Sequence, residues 1–285
     1  MPLGPLRLSY YSAASSIKKN QGFITDFGTT RAALIVAHPG HELRVYQWLR
    51  IARPCVFVLT DGSGHSGRSR LGRTTALLKQ VSAKPGSIYG RFTDREIYSA
   101  ILSHNHRLFI DVAEELAHAL AEDEFGYVAG DRAEGYNPVH DVCRYVIDAA
   151  VELANRKRGA SISNYDFMLA GIDRSGPADT LESELSLDLT DDELLQKLDA
   201  ARSYDELSAD VDEMLRVGGM DGIRTETLRP VPRVPFDEGL NVEPPFYETY
   251  GEKQVAAGHY QTVLRYREHV LPLANALRQY SECRE

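Results

Sequence analysis

The chain has 285 residues, a formal net charge of −9 at pH 7, 43% hydrophobic residues and 26% charged residues. That length supplies a full core for one large domain or two small ones, and the acidity argues against a nucleic-acid binder or a basic membrane-surface helix. Cys55, Cys143 and Cys283 are odd in number and far apart, so neither a disulfide framework nor a CxxC metal knuckle is expected.

Met1 to Ser16 lacks a basic region followed by an apolar core, and no apolar run approaches the length of a membrane span. The expectation is a cytoplasmic protein. Ser12 to Thr30 reads as an arm or a preliminary helix and turn. Ala32 to Ala37 is a buried strand, short and partly β-branched, stopped by Pro39 and Gly40. Glu42 to Ile51 has helical spacing. Cys55 to Thr60 is a second buried strand, ended by Asp61-Gly62. Strand, helix and strand form a βαβ unit and imply a parallel sheet with a right-handed crossover.

Residues 68–84 read as helix and Lys84-Pro85-Gly86 as a turn. Thr93 and Glu96 spell a capping box that opens a helix to about Leu102. Leu108, Val112, Leu116 and Leu120 form the stripe of a long helix. Phe125 to Ala129 is a third strand, His140 to Asn155 a helix, and Asp166 to Ala170 a fourth strand. The alternation over residues 30–172 predicts an α/β, Rossmann-like three-layer sandwich with a mostly parallel sheet. The remainder reads as helical and acidic. A helix starts at Thr190 to Glu193, a second buries Leu207, Val211, Met214 and Leu215, and Pro230 to Pro245 is extended loop. A last helix runs from about Lys253 until Pro272 kinks or ends it. With no repeat and no clear linker, residues 1–285 read as one domain, with a core of about 30–205 and a helical C-terminal extension of about 206–285.

His38, at a strand's carboxyl end, and His41, three positions on, make half of a metal site where an open α/β sheet places its chemistry. His140 follows the third strand through an extended loop and completes a three-histidine set; the bland reading leaves His38 and His41 as ordinary turn residues. Gly62-Ser63-Gly64-His65-Ser66-Gly67 spells G-x-G-x-x-G after a strand. The acid that a dinucleotide site needs at the end of the next strand is missing, since Asp94 is late and sits in a helix cap. The segment reads as a loop rimming the pocket, with Arg68 and Arg70 available to an anionic group or simply solvated.

Ala37-His38-Pro39-Gly40-His41-Glu42 resembles the AHPDDE signature of the LmbE/PIG-L zinc-dependent deacetylases. Glu134 to Asp141 resembles that family's EGGHPDHD block, and Thr60-Asp61-Gly62 its T-D-G. The resemblance covers about residues 30–205. It implies a Rossmann-like fold and removal of N-acetyl groups from amino sugars by a His, an Asp and a second His around Zn2+. Position by position, His38 and His140 match ligands. His41 stands for the ligand Asp, Gly40 for the general base and Asn137 for a charge-supporting His.

A metal held by three imidazoles keeps more positive charge, which acidifies its water and lessens the need for a base. The leaving amine still needs a proton, for which Asp61, Asp131 and Glu134 are candidates; the resemblance gives Glu134 an ordering role. Asn137 is a candidate oxyanion donor, and Glu42 a residue that orders the ligands from behind. Tyr136 lines the pocket or only packs. His259 is read as a core histidine on an apolar helix face rather than a member of the site.

The leading expectation is a zinc-dependent amide hydrolase acting on an amino sugar or a sugar-bearing natural product, with a small, carbohydrate-like partner. The alternatives are a metal-binding accessory protein of the same fold that has lost hydrolysis with Gly40, or another metal-dependent reaction at a three-histidine site.

Overall fold

The computed structural model describes residues 16–18, 30–64, 66–169, 184–204, 212, 215–216, 221–232 and 244–283. Among them an eight-stranded sheet runs in the order β1-β7-β8-β6-β5-β2-β3-β4. The strands are β1 (Ser16–Lys18), β2 (Ala32–Val36), β3 (Cys55–Thr60), β4 (Lys84–Phe92), β5 (Tyr127–Asp131), β6 (Ser163–Phe167), β7 (Leu185–Asp188) and β8 (Thr225–Pro230). β6, β5, β2, β3 and β4 are parallel; β8, β7 and β1 extend the sheet in antiparallel fashion.

Every residue of β2 is buried, and its two-residue period divides the core. Ala33 and Ile35 pack with residues of α3 (Asp94–Leu102), α4 (His106–Glu122), α5 (Pro138–Arg158) and a C-terminal helix Leu271–Cys283. Ala32, Leu34 and Val36 pack with residues of α1 (Tyr46–Ala52), α2 (Leu71–Val81) and α6 (Asp191–Arg202). Helices on both faces of a mostly parallel sheet make the three-layer α/β sandwich that the alternation predicts. The described helices are completed by α7 (Asp221–Arg224) and α8 (Phe246–Ala256), so the C-terminal helix is α9. No described helix is long and apolar enough to cross a membrane.

The chain moves outward from β2 through β3 to β4, then returns to β5 on the other side of β2. The strand order therefore reverses between β2 and β5, and their carboxyl ends leave a crevice there.

The local signals explain the helix starts. Thr93 Oγ1 accepts the Glu96 amide at 3.2 Å and Glu96 Oε2 accepts the Thr93 amide at 2.7 Å, closing the expected capping box on α3. Thr190 and Glu193 do the same for α6. Asn137 caps α5 with Pro138 behind it, and Gly159 ends that helix at φ 61°.

Several expected boundaries move. Lys84-Pro85-Gly86 is the start of β4, not a turn. β4 is the terminal strand of the sheet, where proline's missing N–H does no harm, and a Cβ on Gly86 would lie 2.4 Å from the Phe57 ring. Gly130 and Asp131 belong to β5 rather than ending it, because a Cβ at Gly130 would lie 2.6 Å from the Ile35 carbonyl oxygen. β6 begins three residues before the expected fourth strand, its polar start held where Arg144 donates to Asn164 Oδ1 at 2.9 Å and to the Tyr165 carbonyl at 3.2 Å.

The chain after residue 172 is not wholly helical, since β7 and β8 lie within it. Most of the helix expected over Leu207 to Leu215 and most of the loop from Pro230 to Pro245 fall outside the described residues. The helix expected from Lys253 is α8, ending at Ala256; a π turn over Tyr266–Val270 then leads into α9. Pro272 does not end the helical stretch: it follows the π turn directly and α9 continues past it to Cys283.

Candidate active site

His38 lies two residues beyond β2, His41 opens a 3-10 turn (His41–Val45), and His140 lies in the first turn of α5. The fold brings all three to the crevice between β2 and β5. Their ring centroids are 5.2 Å apart for His38 and His41, 5.1 Å for His38 and His140, and 4.5 Å for His41 and His140. His38 and His140 are buried and the His41 side chain is 15% exposed.

Two carboxylates stand behind the rings. His38 Nδ1 lies 2.7 Å from Thr60 Oγ1 and 2.9 Å from Asp94 Oδ1. The Gly64 amide donates to the other oxygen of Asp94. His41 Nδ1 lies 2.9 Å from Asp131 Oδ2, which also accepts the Ala37 amide at 2.7 Å. With Nδ1 engaged on each of these rings, Nε2 is the nitrogen left for a ligand.

Burial penalises charge on His41 and His140, and the neighbouring histidines and Arg70 add to it, so both are held well below the ordinary imidazole range. They are neutral near pH 7, the form in which imidazole binds a metal. Burial alone would raise Asp94; contact with His38, together with Thr60 and the Gly64 amide, outweighs it and holds the carboxyl well below the usual range. Asp131, fully enclosed, is pushed up to about 7 by burial, against the Ala37 amide, His38 and Arg144.

As placed, the rings pack at angles of 65–85°. Among the described residues no group of three or more His, Cys, Asp or Glu side chains has closed into an arrangement that could hold an ion. The spacing nevertheless suits one, because three imidazoles around a tetrahedral ion at ordinary Zn–N distances have centroids about 5 Å apart. The fit of a metal rests on that spacing, on the neutral His41 and His140, and on the Nδ1 anchors of His38 and His41.

No protein-family model matches the chain, and no curated protein matches it. Among solved structures, a deacetylase complex from the biosynthesis pathway of teicoplanin superposes with a TM-score of 0.50 at 18% identity, covering 74% of this chain and 100% of that one. The chain shares that deacetylase's fold. A zinc-inhibited form of teicoplanin deacetylase Orf2 matches with a TM-score of 0.46 at 15% identity, covering 74% of this chain and 100% of that one. A deacetylase–teicoplanin complex matches with a TM-score of 0.44 at 17% identity, covering 70% of this chain and 97% of that one. At such identities the likeness is one of fold.

The other sequence candidates divide. Asp61 turns Oδ1 to the Ser63 amide at 2.9 Å and so orders the loop after β3. Glu134 accepts the Leu169 amide, a loop-ordering contact. Asn137 Oδ1 accepts the Val139 amide at 2.8 Å and the Tyr98 hydroxyl at 3.4 Å, which leaves its Nδ2 as a donor three residues before His140. Glu42 is fully buried and accepts from the Gly40 amide, Thr74 and Tyr204, each at 2.7 Å. It therefore locks the turn between His38 and His41 without touching either ring. Arg70 donates from Nε to the Gly62 carbonyl at 2.8 Å and Arg68 is exposed. His65 lies outside the described residues. His259 is exposed in the turn after α8, so the expectation of a core histidine is corrected: the helix ends before reaching it.

Asp94 is the residue that sequence reasoning passed over. In the sequence it shows only as a helix-cap neighbour, because Lys84-Pro85-Gly86 reads as a turn and hides the start of β4. With β4 ending at Phe92, Asp94 stands at a strand's carboxyl edge beside the histidines.

Proposed function

We propose that this protein is a zinc-dependent amide hydrolase that deacylates an amino sugar or a sugar-bearing natural product. The observation that carries the reading is the convergence of three histidines at the crevice where strand order reverses, two of them backed by Asp94 and Asp131. His38, His41 and His140 would hold the ion, which when bound supplies Lewis acidity and an acidified water. The fold likeness and the sequence resemblance support the same chemistry.

The chain's own groups then have distinct tasks. Asp94 and Asp131 keep His38 and His41 oriented with Nδ1 turned away from the ion. Asp94, held ionised, also places negative charge behind His38, which offsets in part the ligand carboxylate that the resemblance has at His41. Asn137, its oxygen committed to capping α5, offers Nδ2 to charge developing on the scissile carbonyl oxygen. Asp61 is the candidate for delivering a proton to the leaving amine, since among the described residues only its Oδ1 is engaged. Residues 1–285 act as one unit in this reading, because β8 belongs to the same sheet and α9 to the same core.

Elemental analysis of the wild type beside His140→Ala tests the site. About one zinc per chain, lost in the variant, with release of acetate from an N-acetyl amino sugar by the wild type only, is the expected result. A zinc-free wild type would overturn it.

One observation favours the second reading, a metal-binding protein that no longer hydrolyses. Gly40 has φ 106°, in the region that side chains rarely adopt, and its amide donates to Glu42. The local backbone is thus built for glycine where the resemblance places its base. Zinc bound stoichiometrically without acetate release would select this reading.

A further inference from the structure

The large hydrophobic side chains left exposed are not scattered. Those among the described residues are Tyr136, Leu195, Phe246, Tyr250 and Tyr260, and all but Leu195 belong to one neighbourhood. Tyr136 and Phe246 stack with centroids 5.1 Å apart and planes 6° apart; Phe246 and Tyr250, one turn apart on α8, are 5.9 Å and 24° apart. Tyr250 and Tyr260 both bear on Tyr98, whose hydroxyl reaches Asn137. The aromatic patch is therefore continuous with the start of α5, which carries Asn137 and His140.

We infer that this stack is a substrate subsite that takes a flat aromatic group, such as an aryl aglycone, attached to the sugar whose amide is cleaved. The inference rests on the hydrolase reading for the position of the amide; its own content is the ring that binds beside it. Half-exposed side chains of about 200 Å² each make a patch of roughly 400 Å², well short of the ~800 Å² per partner of a stable protein interface. That is the size of a small-molecule face. The rings lie nearly parallel and offset, the arrangement in which a further aromatic ring extends the series. An alkyl chain would gain nothing from ring orientation. The tyrosine hydroxyls leave the rim polar, so the patch remains compatible with water when empty.

The test uses full-length protein carrying His140→Ala, so that binding is read without turnover. Calorimetry compares N-acetylglucosamine with its 4-nitrophenyl β-glycoside in this background, then with Phe246→Ala, Tyr250→Ala or Leu195→Ala added. The expected result is roughly tenfold tighter binding of the aryl glycoside, lost with Phe246→Ala and Tyr250→Ala and kept with Leu195→Ala. Circular dichroism confirms that each variant folds. Absence of an aryl preference, or a preference untouched by Phe246→Ala, overturns the subsite. So does concentration-dependent dimerisation abolished by Phe246→Ala, which would make the patch a contact between copies. An aryl preference that behaves as expected, together with a wild type that releases no acetate, would leave the subsite standing while the hydrolase reading fell.

Discussion

In the proposed zinc site, Asp94 and Asp131 would do from behind the rings what a ligand carboxylate does from closer in. Each lies 2.9 Å from the Nδ1 of a histidine, fixing which nitrogen remains for the ion. Asp94→Asn keeps the shape and removes the charge. The expected outcome is a loss of zinc affinity of about 10- to 100-fold, measured by competition with a chelator; an unchanged affinity would show that Asp94 only packs. Asp141, beside His140, follows a different rule. Burial raises its carboxyl to about 7 although the Glu134 and Gly135 amides donate to it at 2.9 and 3.1 Å. The folded state therefore holds a proton that the unfolded chain gives up near pH 4. Stability from this group is present at low pH and declines as pH rises from about 4 towards 7. Urea denaturation at pH 5 and pH 7.5 should show less of that decline in Asp141→Asn than in the wild type.

The element that matters most to the site is the junction of β4 and α3. Thr93 caps α3 and Asp94 is its first residue, so one turn of backbone serves both the helix and His38. Thr93→Ala should cost about 1 kcal/mol of stability, read from the denaturation midpoint, and should weaken zinc retention as well. Thr190→Ala, the same change at α6 away from the histidines, should lower stability by a similar amount and leave zinc retention alone. That junction was half legible. Thr93 and Glu96 announce a helix start by themselves, because capping needs only residues three apart. The strand before it did not announce itself. Pro85 and Gly86 are turn residues by local preference, and only the terminal position of β4 and the Phe57 ring against Gly86 make them strand residues.

Across the whole molecule, Glu226 ties β8 to α6 by a buried charge pair and to α1 by backbone amides. Lys197 Nζ meets Glu226 Oε1 at 2.9 Å, and Glu226 also accepts the Gln47 and Trp48 amides at 3.0 and 2.9 Å. Burial lowers the lysine's pKa against the pull of Glu226. Glu226→Ala should destabilise by ~3–5 kcal/mol in urea denaturation, since it strands Lys197 and two amides. Adding Lys197→Met should recover part of the loss, because the stranded charge is gone. If the double variant is no more stable than the single one, the amides and not the ion pair hold β8 in place.

The sequence by itself determined the α/β layering, the capping boxes and the three histidines at the carboxyl edge. Each of these depends on residues within a few positions of one another, on hydrophobic period, or on a motif of fixed spacing. Only the tertiary structure decided that β8, carrying charged Glu226, is a strand, since its charge is satisfied by Lys197 across the fold. Only it decided that Asp94 stands behind His38, because the two meet through the pairing of β2 with β3 and of β3 with β4. It also gathered Tyr136, Phe246 and Tyr250, from positions more than a hundred residues apart, into one stack. Contacts of that kind are made by the packing of distant elements, and no local preference in the chain encodes them.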